Sequence, residues 1–135
     1  MIVIDASALA KYLLREPDYD RVEQYLVTGV HSVDHLVKEV ASAIRKHAVV
    51  YRKISVQDAR ELYRALLMLL EGGVVVLEAQ EKYMRQAFDM ALNYEITVYD
   101  ALYIAQAKAR SSKLLTSDRV QAVVAEKLGV EVLHV

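Results

Sequence analysis

Five short apolar runs recur along the chain: "MIVI" (1–4), "VHSV" (30–33), "VVVLE" (74–78), "KLLTS" (113–117) and "VEVLHV" (130–135). Stretches at helical spacing separate each from the next, and this alternation limits the fold more than any other feature. Short runs rich in β-branched residues read as strands, and the unbroken "VVVLE" is of the kind buried on both faces of a sheet. No hairpin signal such as Asn-Gly joins any two of them. Strands without hairpins need crossovers, so the pattern predicts a parallel sheet with helices on both faces. The intervening helices are expected at "ASALAKYLL", "PDYDRVEQYLV", "DHLVKEVASAIRKHAVVY", "SVQDARELYRALLMLLE", "QEKYMRQAFDMALNY", "VYDALYIAQAKAR" and "RVQAVVAEKL". Asp34 is the expected cap of the third, Ser55 and Asp58 form a capping-box-like pair, and Gly72-Gly73 ends the fourth. A chain of 135 residues is the size of one domain, here residues 1–135.

Composition removes several classes. There is no cysteine, hence no disulfide framework and no thiolate metal site. No apolar run approaches the roughly 20 residues that span a bilayer, so no membrane role is expected. "MIVIDASALAKYLL" lacks a basic n-region and carries Asp5 inside its apolar run, unlike a signal peptide. A cytoplasmic location is the expectation. The net charge is −1, whereas nucleic-acid binders are usually basic. Setting four acids aside as metal ligands leaves 14 acids against 17 bases, so charge does not discriminate.

Ligands of open α/β sheets bind beyond the carboxyl ends of the strands, which makes acids placed there informative. Asp5 follows "MIVI", Asp118 follows "LLTS", Asp34 and Glu39 follow "HSV", and Asp100 opens "YDALYIAQA". Each has an ordinary reading. Asp5 and Asp118 suit the caps of the next helices, and Thr97-x-x-Asp100 matches a capping box. Glu39 sits at the margin of the stripe Leu36, Val37, Val40, Ala41, Ile44 and Ala48, a boundary position. Asp100 fits its ordinary reading least well. Its helix is apolar nearly all round, and a carboxylate there is costly unless capped, paired or bound to metal. If the four acids converge on one cleft, they repel one another and require a cation. Oxygen ligands without a Cys or His cluster suit Mg²⁺ or Mn²⁺, ions that commonly serve phosphate chemistry.

These segments carry a resemblance. "VIDASALAKYLL" with Asp5, "KEVASAIRK" with Glu39, "YDALYIAQA" with Asp100 and "LLTSDRV" with Asp118 are similar to PIN domains, most closely the small VapC-type toxins of toxin–antitoxin pairs. The resemblance spans essentially the whole chain. It implies a single doubly wound α/β domain with a five-stranded parallel sheet flanked by helices. It implies a metal-dependent endoribonuclease in which the four acids are metal ligands or orient ligand water. Ser7 and Ser117 match small polar positions near the family's site. A cytoplasmic homodimer inhibited by a cognate antitoxin protein is implied as well.

Other residues keep two readings. Lys11, Arg15, Arg45 and Lys46 are candidate RNA phosphate contacts or solvated helix faces. His31, His35, His47 and His134 show no metal-ligand spacing and read as surface or satisfied core. "ELYRALLMLL" carries more apolar surface than one core-facing stripe needs, which points to contact with another chain. Two competing functions stand beside the nuclease. One is a catalytically inactive PIN-like binding module. The other is a receiver-type phosphoacceptor domain, which would want an acidic neighbour for Asp5 and an Asp where Glu78 stands.

Overall fold

The computed structural model describes residues 1–135. Strands β1 (Ile2–Ile4), β2 (Val30–Val33), β3 (Val75–Glu78), β4 (Lys113–Thr116) and β5 (Val132–His134) form one sheet in the order β3-β2-β1-β4-β5. Every pairing is parallel. Helices α1 (Ala6–Leu13) and α2 (Tyr19–Leu26) link β1 to β2, and α3 (Leu36–Arg45) and α4 (Val56–Glu71) link β2 to β3. Helices α5 (Met84–Tyr94) and α6 (Val98–Ala109) link β3 to β4, and α7 (Arg119–Lys127) links β4 to β5. The chain therefore steps outward twice on one side of β1, crosses back, and steps outward on the other. Right-handed crossovers then put α1 to α4 on one face and α5 to α7 on the other.

Helix α6 is the buried element that its composition predicts: every residue from Ala101 to Ala107 is buried. The capping box of α4 forms, with the Asp58 N–H donating to Ser55 Oγ at 2.9 Å and the Ser55 N–H returning to Asp58 Oδ2 at 3.2 Å. Past its end Gly73 turns at φ +76°, a left-handed value that a side chain would strain, and the chain enters β3.

Two expectations need correcting. The helix read over residues 34–51 is α3 alone, followed by a widened π-turn over Lys46–Val50. Asp34 does not cap it. The Asp34 N–H extends the ladder to the Glu78 carbonyl at 2.9 Å, and its carboxylate accepts the Gln80 N–H at 3.2 Å. Strand pairing thus claims the residue before the helix can.

Glu78, at the carboxyl end of β3, is a hub of donors. Its Oε1 accepts from the Tyr83 hydroxyl at 2.7 Å, Gln106 Nε2 at 2.9 Å and Arg110 Nη1 at 2.9 Å, and its Oε2 accepts from Lys82 Nζ at 2.8 Å. Burial alone raises its pKa, but these donors and the Arg110 charge outweigh burial and bring it to about 2. A carboxylate so occupied ties β3 to α6. A folded-state pKa below the ordinary 4.5 gives stability above that pH that is lost as pH falls toward 2. Glu78→Ala leaves Gln106 and Arg110 without their acceptor. It should cost roughly 2–4 kcal/mol in urea unfolding at pH 7. The deficit should shrink at pH 3.

Candidate active site

The ends of β1 and β4 lie side by side. Ile4 pairs with Leu115, and the Asp5 N–H donates to the Leu115 carbonyl at 3.1 Å. From β1 the chain turns into a helix on one face, and from β4 into a helix on the other. Such a switch point opens a crevice beyond the strand ends. Asp5 and Asp118 stand at its two sides, and both do cap their helices. Asp5 Oδ1 accepts the Ala8 N–H at 2.9 Å, and Asp118 Oδ1 accepts the Gln121 N–H at 3.0 Å. Each cap occupies one carboxylate oxygen, so capping fixes the group without consuming it.

Asp5 is the most deeply set, 1% exposed. Ser7 Oγ lies 2.8 and 2.9 Å from its two oxygens, and the Thr116 hydroxyl donates to Oδ2. Burial pushes its pKa from 3.8 to about 7, against the lowering effect of these hydrogen bonds and with a further push from the charge of Asp100. Asp100 is half-buried at the start of α6, its N–H donating to Thr97 Oγ1 at 3.1 Å. Burial, then the charges of Asp118 and Glu39, raise its pKa to about 6. Buried Gln121 donates from Nε2 to the Asp100 carbonyl at 3.1 Å, clamping the helix that starts at Asp118 onto the one that carries Asp100. Glu39 accepts the Tyr103 hydroxyl at 2.7 Å and lies 2.9 Å from His35 Nε2. Burial would raise its pKa, but these two neighbours bring it below the ordinary value.

The other residues singled out in the sequence fall as follows. Ser7 also accepts the Ser117 N–H at 2.9 Å, so it staples β1 to β4 beneath Asp5. The Ser117 hydroxyl turns away, toward the Val135 carbonyl at 3.3 Å. Lys11 donates to that same carbonyl at 2.9 Å, and Arg15 donates to the Tyr19 hydroxyl at 3.2 Å. Arg45 and Lys46 lie at the far end of α3, and neither side chain has a hydrogen-bond partner. Three contacts were not read from the sequence, though each left a signal. Thr116 lies two residues before Asp118 at the end of a buried strand. Tyr103 lies one helical turn after Asp100. His35 lies four residues before Glu39.

Comparisons with known proteins bear on the family and the fold. The PIN domain family matches residues 2–127. The chain belongs to the PIN domain family. It is 31% identical over 121 residues to Ribonuclease VapC3 of Pyrobaculum aerophilum, an alignment covering 87% of this chain and 89% of that one. The crystal structure of FitAcB from Neisseria gonorrhoeae matches with a TM-score of 0.64 over 99% of this chain and 97% of that one, at 21% identity. That second likeness concerns the fold.

In this PIN domain, no Lys or Arg lies within ion-pair distance of Asp5, Asp100, Asp118 or Glu39. The acids sense one another in a chain: Asp5 with Asp100, and Asp100 with both Asp118 and Glu39. No three His, Asp or Glu side chains close around a common point. The donor set fits a hard divalent cation in kind: carboxylate oxygens with no Lys or Arg beside them, two of them with pKa values raised by desolvation first and by neighbouring acids second. Ionising Asp5 in the folded state costs roughly 4 kcal/mol relative to the unfolded chain, which a bound cation would offset.

These raised pKa values have a sign. Without metal the folded state holds protons more tightly than the unfolded one, so this contribution to stability is present at low pH. It is lost as pH rises from about 4 through about 6 for Asp100 and about 7 for Asp5. Asp100→Asn should therefore melt a few degrees above wild type in EDTA at pH 8. It should also respond less to Mn²⁺. A residue that only capped its helix would leave the Mn²⁺ shift unchanged, since Asn caps about as well as Asp.

Proposed function

We propose that this PIN domain protein is a metal-dependent endoribonuclease that hydrolyses RNA phosphodiester bonds, and that it is the toxin of a toxin–antitoxin pair. The observation that carries the reading is the set of uncompensated carboxylates at the β1–β4 switch point, one of them fully buried. The likeness to a protein named a ribonuclease supports it. Asp5, Glu39, Asp100 and Asp118 would hold Mg²⁺ or Mn²⁺. When bound, such an ion activates water and stabilises the leaving oxygen of a phosphodiester. The protein's own part is positioning. Ser7, Thr116 and the Ala8 N–H fix the buried Asp5 carboxylate, and Gln121 fixes α7 against the Asp100 end of α6. Ser7 and the Ser117 N–H keep the two strand ends together.

Arg45 and Lys46, with no hydrogen-bond partners, are the better candidates for RNA phosphates. Lys11 and Arg15 are engaged within the chain and stand second. Homodimer formation and antitoxin binding have apolar surface available. Between α3 and α4 lies a groove of about 530 Å³ lined by Ile44, Val49, Val56, Tyr63 and Leu67 and rimmed by Arg45, Arg60 and Arg64. Beside it Met68 is exposed. A cytoplasmic location is part of the same reading. No helix is long and apolar enough to cross a membrane.

The purified protein should cut single-stranded RNA with Mg²⁺ or Mn²⁺ and stop with EDTA. Asp5→Asn, folded by circular dichroism, should lose at least about 100-fold in rate, the scale seen when one group that stabilises charge in a transition state is removed. Cleavage that survives both EDTA and Asp5→Asn would exclude this site.

A further inference from the structure

Glu39 is held unlike Asp5 and Asp118. Asp5 and Asp118 are fixed by backbone N–H groups of their own helices, but Glu39 has no such tether and a longer, freer side chain. Two side chains hold it instead, and both contact the same oxygen. The Tyr103 hydroxyl donates to Oε1 at 2.7 Å, and His35 Nε2 lies 2.9 Å from Oε1. No hydrogen bond falls on Oε2. Tyr103 is 1% exposed, so its ring is locked by the core. The His35 ring packs against it with centroids 4.8 Å apart and planes tilted by 43°. His35 is itself buried, and neither ring nitrogen makes an aligned hydrogen bond, which leaves the Glu39 carboxylate as its close polar neighbour. A buried polar ring left so poorly satisfied calls for an explanation. Tyr103 also follows Asp100 by three residues, one turn along the same face of α6. One helix therefore sets Asp100 directly and reaches Glu39 through a phenol.

We propose that Tyr103, with His35 packed against its ring, is a positioning residue that pins Glu39 by Oε1 and leaves Oε2 as the oxygen offered to the divalent ion. This rests on the metal-nuclease reading above. An untethered glutamate would lose side-chain freedom on binding the ion; here that entropy is already spent in folding. Partners that orient metal ligands in this way are worth about 10- to 100-fold in metal affinity or activity.

Calorimetric titration of Mn²⁺ into wild type, Tyr103→Phe and His35→Phe tests this, with melting curves in EDTA and RNA cleavage at rising Mn²⁺. Tyr103→Phe keeps the ring and removes the donor. It should bind Mn²⁺ about 10- to 100-fold more weakly, and saturating Mn²⁺ should restore most of its cleavage rate. His35→Phe keeps a ring against Tyr103 but removes the second polar neighbour of Oε1 at 2.9 Å; it should weaken binding in the same direction and keeps the test open if Tyr103→Phe fails to fold. A lower EDTA melting temperature with wild-type Mn²⁺ affinity would make Tyr103 merely structural and overturn the proposal. Wild type that binds Mn²⁺ and cuts RNA, beside variants that bind equally well, would overturn this proposal alone. Wild type that binds no Mn²⁺ would overturn it together with the metal-nuclease reading.

Discussion

Strand β1 pairs with β4 as well as with its sequence neighbour β2, and that lateral pairing sets where every acid can go. It brings residue 5 beside residues 115 to 118, more than 100 positions later in the chain. The Ser7 hydroxyl then reaches across to Thr116 and the Ser117 N–H, and the Thr116 hydroxyl reaches back to Asp5. The switch in chain direction at this point opens the crevice, and the parallel sheet aims all strand ends the same way. Helix α6 crosses behind it, packed against β1, β2 and β4, and so brings Asp100 to the same edge.

Energetically the site works against the fold. Burying Asp5 removes its solvation, and Asp100 is repelled by two neighbours. The remainder of the molecule must supply the surplus. It does so through a core that joins both helical layers, from Val3 and Ile4 to Leu102, Ile104, Leu114 and Leu115, and through Glu78 at the far strand. The two clusters contrast usefully. Glu78 is surrounded by donors that outweigh its burial and drops to about 2, while Asp5, hydrogen-bonded by hydroxyls and a backbone N–H, still rises to about 7 because burial outweighs them. Lys82 and Arg110 meet Glu78, whereas no Lys or Arg meets the four acids of the site. The same contrast speaks against a receiver-type domain, since the acid ending β3 is already consumed.

Strand and helix order were legible because each element carries a clean local period, and the buried character of α6 was legible because it is apolar all round. The candidacy of Asp5, Glu39 and Asp118 was legible from their place after strands, and that of Asp100 from its place at the start of a helix apolar nearly all round. What the sequence hid is lateral. Strand order within a parallel sheet leaves no local trace, so nothing marks Thr116 as a partner of Asp5 until β4 is set beside β1. Asp34 reads as a cap until β3 claims it. The Tyr103–Glu39 contact spans 64 positions. Glu39 looked like an ordinary boundary residue because the group that singles it out lies on another helix. The end of α3 was also misjudged, since nothing in "RKHAVVY" distinguishes a π-turn from continued helix.

The central claim is that the acids form one electrostatically coupled site whose oxygens would hold a divalent cation. The most direct measurement is a ¹³C-carboxyl NMR titration of the aspartates and glutamates, without metal and with saturating Mg²⁺. The expected result is two aspartate carboxyls titrating near 7 and 6 without metal, assigned to Asp5 and Asp100, and both moving well below that range when Mg²⁺ is present. If both titrate near 4 and Mg²⁺ moves neither, the carboxylates are independent helix caps and the account is wrong.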